Sequence, residues 1–265
     1  MLAVAVVGHI EWVDFIGVSR LPQPGDIVHA HQAFARAAGG GGVVAAVLVE
    51  LGAQVDFFCA LGDDADGHAA LEQLSQRGVR LHVAWRTQPT RRAVTMLDDR
   101  GERTIVTMGE RLEPLGSDDL PWDRLAGADG VYFTAGDSAA LQRARTARVL
   151  VASPRGRSAL EGGPEIDALI YSRADRDESE WAVRLAGRAH LSVETHGADG
   201  GEWRGSSEGR WEAVPPPGPS RDAYGAGDSF AAGFTFSLAA GGSVAEAAAL
   251  GAAAGARALT RPGTP

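Results

Sequence analysis

The 265-residue chain carries a formal charge of −9 and has no basic cluster to offset it, which argues against a nucleic-acid backbone or an anionic lipid surface as partner. Its 45% apolar and 22% charged residues can fill a sizeable core, so general disorder is excluded. The chain contains no lysine, which rules out a Walker-type phosphate loop, and its single cysteine, Cys59, rules out an internal disulfide or a cysteine-rich zinc site.

The first residues, Met1 to Gly8, lack a basic leader and are too short to span a bilayer, so they read as a buried strand in a cytoplasmic protein with no membrane partner. Apolar runs at 4–7, 55–60, 130–134, 148–152, 168–171 and 191–194 alternate with helical patterns at 42–51, 67–76, 139–147 and 179–185. Continuous rather than alternating apolar runs suit a mostly parallel sheet covered by helices on both faces. Segments 12–31 and 79–108 break this rhythm with alternation and turn signals such as Pro22-Gln23-Pro24-Gly25-Asp26 and Asp98-Asp99-Arg100-Gly101-Glu102. They predict small antiparallel strands forming a lid on one α/β domain spanning 1–265. Near the C-terminus a stiff run, Pro215-Pro216-Pro217-Gly218-Pro219, leads to a glycine-rich turn and an Ala-rich helix pair.

That turn, Asp222-Ala223-Tyr224-Gly225-Ala226-Gly227-Asp228-Ser229-Phe230, carries the strongest chemical signal. Small residues at a bend entering a helix let consecutive amides approach an anion, and the helix N-terminus adds partial positive charge. A carboxylate beside such an anion hole can take a proton from an attacking hydroxyl. Taken alone, the same residues also describe an ordinary helix cap.

The run through Gly233-Phe234 resembles the C-terminal signature of the ribokinase-like (PfkB) carbohydrate kinases, and the likeness extends along nearly the whole chain. Leu51-Gly52-Ala53 with Ala60-Leu61-Gly62-Asp63-Asp64-Ala65-Asp66-Gly67 resembles that family's N-terminal segment. Asp98 to Thr104 resembles its lid hairpin, and Thr195-His196-Gly197-Ala198-Asp199-Gly200 its nucleotide loop. The resemblance implies a three-layer α/β/α domain with a small β-sheet lid, using ATP and Mg2+ to phosphorylate a hydroxyl of a sugar or sugar-like molecule. It makes Asp228 the base and Gly225, Ala226 and Gly227 the anion hole, and brings Thr195, Gly197 and Gly200 to the nucleotide. In Asp175-Arg176-Asp177-Glu178, Glu178 takes the magnesium role through water, with Glu180 a rival in a shifted register. A homodimer through the lid strands is a further implication.

Two positions depart from the sugar-kinase pattern. Val13 and Val43 stand where relatives place a hydroxyl-binding Asp and Asn, which leaves Glu11, on the same strand face as Val13 by alternation, and the neighbouring Asp14 as candidate replacements. Gly39, Gly40, Gly41 and Gly42 still offer backbone that a substrate can approach closely. Ala223 replaces the usual Thr, which leaves monovalent-cation dependence open. Arg91, Arg92 and Arg103 lie in the lid-like region, where they face either an anion or solvent.

Rival readings fare worse. A dinucleotide fingerprint through Gly40, Gly42 and Ala45 does not follow the first strand directly, and the Gly227-Asp228-Ser229 block lacks the downstream histidine a serine esterase needs. A nucleoside kinase, or an inactive ligand-binding relative, remains the alternative.

Overall fold

A computed structural model of the chain describes residues 1–263. The chain runs β1 (Ala3–Val7), β2 (Glu11–Val18), β3 (Gln32–Ala38), α1 (Gly39–Glu50), β4 (Gln54–Gly62), α2 (Ala65–Gln76), β5 (Arg80–Arg86), β6 (Arg92–Asp98) and β7 (Arg103–Met108). It continues through β8 (Gly130–Phe133), α3 (Ser138–Ala144), β9 (Leu150–Ala152), α4 (Ser158–Glu161), β10 (Ile166–Ser172), α5 (Arg176–Arg184) and β11 (Ala189–Thr195). A hairpin of β12 (Gly201–Gly205) and β13 (Gly209–Trp211) precedes α6 (Ala226–Ala239) and α7 (Val244–Ala258). The glycine-free apolar run of β1 makes it a central strand, flanked in parallel by β4 and β8.

Alternation along the strands feeds two cores. Val4 and Val6 face α1, α6 and α7, whereas Ala5 and Val7 face α3, which establishes three layers. Phe57 and Phe58 repeat this on β4, fully buried on opposite faces. Each contributes on the order of 2–3 kcal/mol by leaving water.

The main sheet has the order β13-β12-β11-β10-β9-β8-β1-β4-β5. All its pairings are parallel except those of β12 with β11 and β13. From β1 the chain builds outward to β5, then returns to build the other half from β8. The order reverses between β1 and β8, and the crevice beyond the carboxyl ends of those strands is where open α/β sheets bind ligands.

The lid is a second sheet, β3-β2-β6-β7, that leaves and rejoins the main domain at that crevice. Its make-up differs from the expectation in three ways. Residues 80–86 belong to the main sheet, paired in parallel with β4, because an edge strand buried on one side alternates like a lid strand. Gln32–Ala38 supplies a lid strand beyond the expected limit of 31, and β2 pairs with β6 in parallel rather than antiparallel. The expected site glycines, Gly39 to Gly42, form the first turn of α1. Glycine costs a helix about 1 kcal/mol each, but at Gly41 an added Cβ would meet the His9 carbonyl and the Phe57 ring at 2.7 Å. Gly39 also has a φ of +78°, which a side chain would strain. No described helix is long and apolar enough to cross a membrane.

Candidate active site

α6 begins at the crevice because Gly225 caps it in the left-handed region (φ 71°, ψ 5°). The turn before it is anchored by buried Asp222, whose carboxylate accepts from Tyr224 N and Gly263 N, both at 2.7 Å. Gly227 and Asp228 stand in the first helical turn, where backbone N–H groups have no intrahelical acceptor. Ala226 N lies 3.4 Å from Ala223 O, a contact too long to occupy it firmly.

Two clefts meet at this helix start. One, of about 300 Å3, lies under the lid and is lined by His9, Glu11, Gly39 and Gly40. The other, of about 490 Å3, runs over β10 and β11 and is lined by Tyr171, Ser172, Thr195 and Gly227. Asp228, Gly225, Asp175, Glu178, Arg103 and Arg155 line both, so the Asp228 carboxylate stands on the shared wall.

Arg155 organises that wall. It follows β9 in Ser153-Pro154-Arg155, at the carboxyl end of a parallel strand, and Ser153 Oγ accepts from its backbone N–H. Its guanidinium meets Glu178 (Nε to Oε1, 2.7 Å) and Asp228 (Nη1 to Oδ1, 3.3 Å). Burial works against the arginine's charge, but Asp228 and Glu178 outweigh it and hold the group firmly protonated. Gly40 makes room for this contact: a Cβ there would sit 3.2 Å from both Arg155 Nη1 and Asp228 Oδ1.

Glu178 is fixed by three constraints. Asp175 caps α5 by accepting Glu178 N at 3.1 Å, Ser172 N donates to Glu178 Oε2 at 2.9 Å, and Arg155 holds Oε1. Burial pushes its carboxyl above the usual range, with Arg155 pulling the other way. Glu180 instead faces solvent, paired with Arg176 at 2.7 Å. Among the described residues one tight trio could ligate a metal, Glu194, His196 and Glu202, but Arg173, Arg204 and Arg210 already engage its carboxylates.

The remaining expected residues divide between cleft and scaffold. Glu11 lines the lid cleft, paired to Arg91 at 3.2 Å, and burial raises its carboxyl. Asp14 lies outside both clefts and pairs with Arg92 at 2.7 Å. Gly39 and Gly40 line the lid cleft, whereas Gly41 and Gly42 are packed beneath it. Thr195 lines the second cleft, its hydroxyl donating to Tyr171 O at 3.3 Å, while Gly197 and Gly200 shape the turn behind it. Val13 and Val43 are core residues, 0% and 2% exposed.

Sequence reasoning missed Arg155, His9, Arg111 and Tyr224. The available signal was position: His9 and Arg155 each follow a parallel strand directly, on the ligand side of the sheet.

Comparison with known proteins gives one answer. The model of the "pfkB family carbohydrate kinase" matches residues 1–152 and 165–265. An ATP-dependent ribose-1-phosphate kinase of Halopiger xanaduensis is 30% identical over 258 residues, covering 88% of this chain and 84% of that protein. Among solved structures, a microbiome-derived acarbose kinase superposes with a TM-score of 0.83 at 26% identity, covering 98% of this chain and 93% of the other. Arabidopsis thaliana ribokinase, solved with ribose and ATP, gives a TM-score of 0.76 at 20% identity, covering 100% of this chain and 95% of that one. With a family match along nearly its whole length and the corresponding fold, the chain belongs to the pfkB family of carbohydrate kinases.

Proposed function

We propose that the protein transfers the γ-phosphoryl group of ATP to a hydroxyl of a sugar or sugar-like molecule, with Asp228 as general base. The observation that carries this reading is the position of Asp228 on the wall common to two clefts. A nucleotide in the cleft over β10 and β11 would direct its terminal phosphate at the start of α6, and an acceptor under the lid would approach from the other side. The amides of Gly225, Ala226 and Gly227 then stabilise charge on the transferred oxygens, as Asp228 Oδ1 takes the hydroxyl proton. Thr195 would border the nucleotide, with Gly197 and Gly200 shaping the turn behind it.

The residues present fit a magnesium ion that keeps its water shell. Both Glu178 oxygens already have partners, so this carboxylate would hold the ion through water, and the hard oxygen donors of Asp175 and Glu178 suit that cation. Bound there, magnesium would neutralise phosphate charge. Arg155 keeps Asp228 and Glu178 oriented until substrates arrive, and the lid excludes water from the acceptor side. A homodimer through the lid also agrees with the exposed β7, where Val106 is 50% and Met108 43% exposed.

The test is an ADP-release screen with ATP, magnesium and polyol acceptors, with and without EDTA. Acceptor-dependent ADP formation that EDTA abolishes supports the reading. Ligand-induced thermal stabilisation without ADP formation would make the protein a binding relative instead.

A further inference from the structure

Five arginines, Arg91, Arg103, Arg111, Arg155 and Arg157, line the lid cleft together with five carboxylates, and the carboxylates are unevenly placed. Four of them, Asp175, Asp177, Glu178 and Asp228, gather at the starts of α5 and α6, where Glu178 and Asp228 share Arg155. The rest of the lining holds Arg91, Arg103, Arg111 and Arg157 with one further carboxylate, Glu11, which Arg91 engages at 3.2 Å. Arg111 pairs with Glu113, which does not line the cleft, and donates to Arg155 O at 3.0 Å, so its guanidinium is fixed in place. Burial disfavours the charge on Arg111 and Glu113 favours it, while Arg157 and then Arg91 oppose it more weakly, so these guanidiniums lie within each other's field.

Arg157 adds an independent observation. It is the one described non-glycine residue with positive φ (46°, with ψ −125°), a strained conformation directly after the Pro154–Gly156 turn. Among the described residues its guanidinium has no ion-pair partner, although it lines the cleft. His9 stands beside the group, 5% exposed, with Nδ1 lacking a hydrogen-bond partner. Burial, then Arg111, Arg155 and Arg91, keep its imidazole neutral, so it adds no cation but can exchange a hydrogen bond with a ligand. Val13 and Val43, in contrast, are sealed in the core and cannot read acceptor hydroxyls.

We propose that the acceptor carries, besides its reacting hydroxyl, an anionic group bound by Arg91, Arg111 and Arg157 beside His9. Planar guanidinium forks match phosphate or carboxylate oxygens and would have their mutual repulsion relieved by such a group. Phosphorylated sugars and sugar acids share this chemistry. The inference rests on the phosphotransferase reading of the same site.

The experiment compares matched neutral sugars, sugar monophosphates and aldonic acids with the full chain, by titration calorimetry and by ADP release with ATP and magnesium. An anionic acceptor should bind at least 10-fold more tightly than its neutral parent. Arg157→Met and Arg111→Met should each raise KM for it about 10-fold, leaving KM for ATP and the melting temperature near wild type. Preference for phosphates or for acids identifies the source of the anion. Binding of anionic acceptors without ADP formation supports this inference and overturns the phosphotransferase reading. Equal or better use of neutral sugars overturns the inference and leaves that reading standing. If no sugar phosphate, aldonic acid or inorganic phosphate binds, the inference is overturned whether or not the arginine variants fold.

Discussion

Arg155 Nη1 lies 3.3 Å from Asp228 Oδ1, and the same guanidinium binds Glu178 through Nε at 2.7 Å. One cation thus ties the proposed base to the proposed magnesium-side carboxylate at the junction of two clefts. Such a pairing keeps both carboxylates oriented, and a substrate hydroxyl or a hydrated cation can take over part of its role.

Asp228→Asn retains the shape of the site but cannot accept a proton. It is expected to lower kcat by about 10^2- to 10^4-fold while nucleotide affinity changes little. Steady-state kinetics together with calorimetric titration of ADP check this, and near-normal turnover would remove Asp228 from the base role.

Arg155→Met removes the cation that counteracts the burial of Glu178. A carboxyl already raised by burial then titrates higher still, so it becomes protonated earlier as pH falls. The acidic limb of the kcat/KM profile should move to higher pH. An unchanged limb would mean that Glu178 ionisation does not limit activity.

Asp64 is a stability test independent of the chemistry. Burial raises its carboxyl, but bonds from Gly67 N, Thr90 Oγ1 and Thr90 N outweigh it and hold it below the usual range. Its contribution is therefore present above the unfolded pKa, near 3.9, and is lost as pH falls through the lower folded value. Asp64→Asn keeps one oxygen for Gly67 N but sets an amide donor against Thr90 N, and should destabilise the protein by about 1–2 kcal/mol at pH 7. The gap from wild type in urea melts should narrow below about pH 4.

Gly200→Ala tests the turn behind Thr195. Gly200 has φ +79°, and an added Cβ would collide with the Trp211 carbonyl. A loss of about 1–3 kcal/mol is expected, with a raised KM for ATP because the turn supports Thr195, which lines the second cleft. An unperturbed melting temperature would show that the turn relaxes freely.

Much of this protein was legible from short-range pattern. The central strands appear as continuous apolar runs because both their faces are buried, and the Gly225 to Asp228 turn appears because left-handed backbone and free amides need small residues at fixed offsets. Strand alternation put Glu11 and Asp14 on opposite faces of β2, yet which face met the cleft depended on the packing of the lid. The same holds for Glu178 and Glu180: two residues apart on a helix means a rotation of about 200°, so only the docking of α5 could choose between them.

By itself the sequence determined the family, the alternation of apolar strands with helices in the main sheet, and the Gly225–Asp228 turn at the start of a helix, since each is written in contiguous residues. Tertiary structure alone decided that Arg155, 73 residues before Asp228, would close on it, that residues 80–86 would extend the main sheet, and that Arg111 and Arg157 would share a cleft. Contacts between distant segments depend on how whole layers pack, and no local periodicity encodes that.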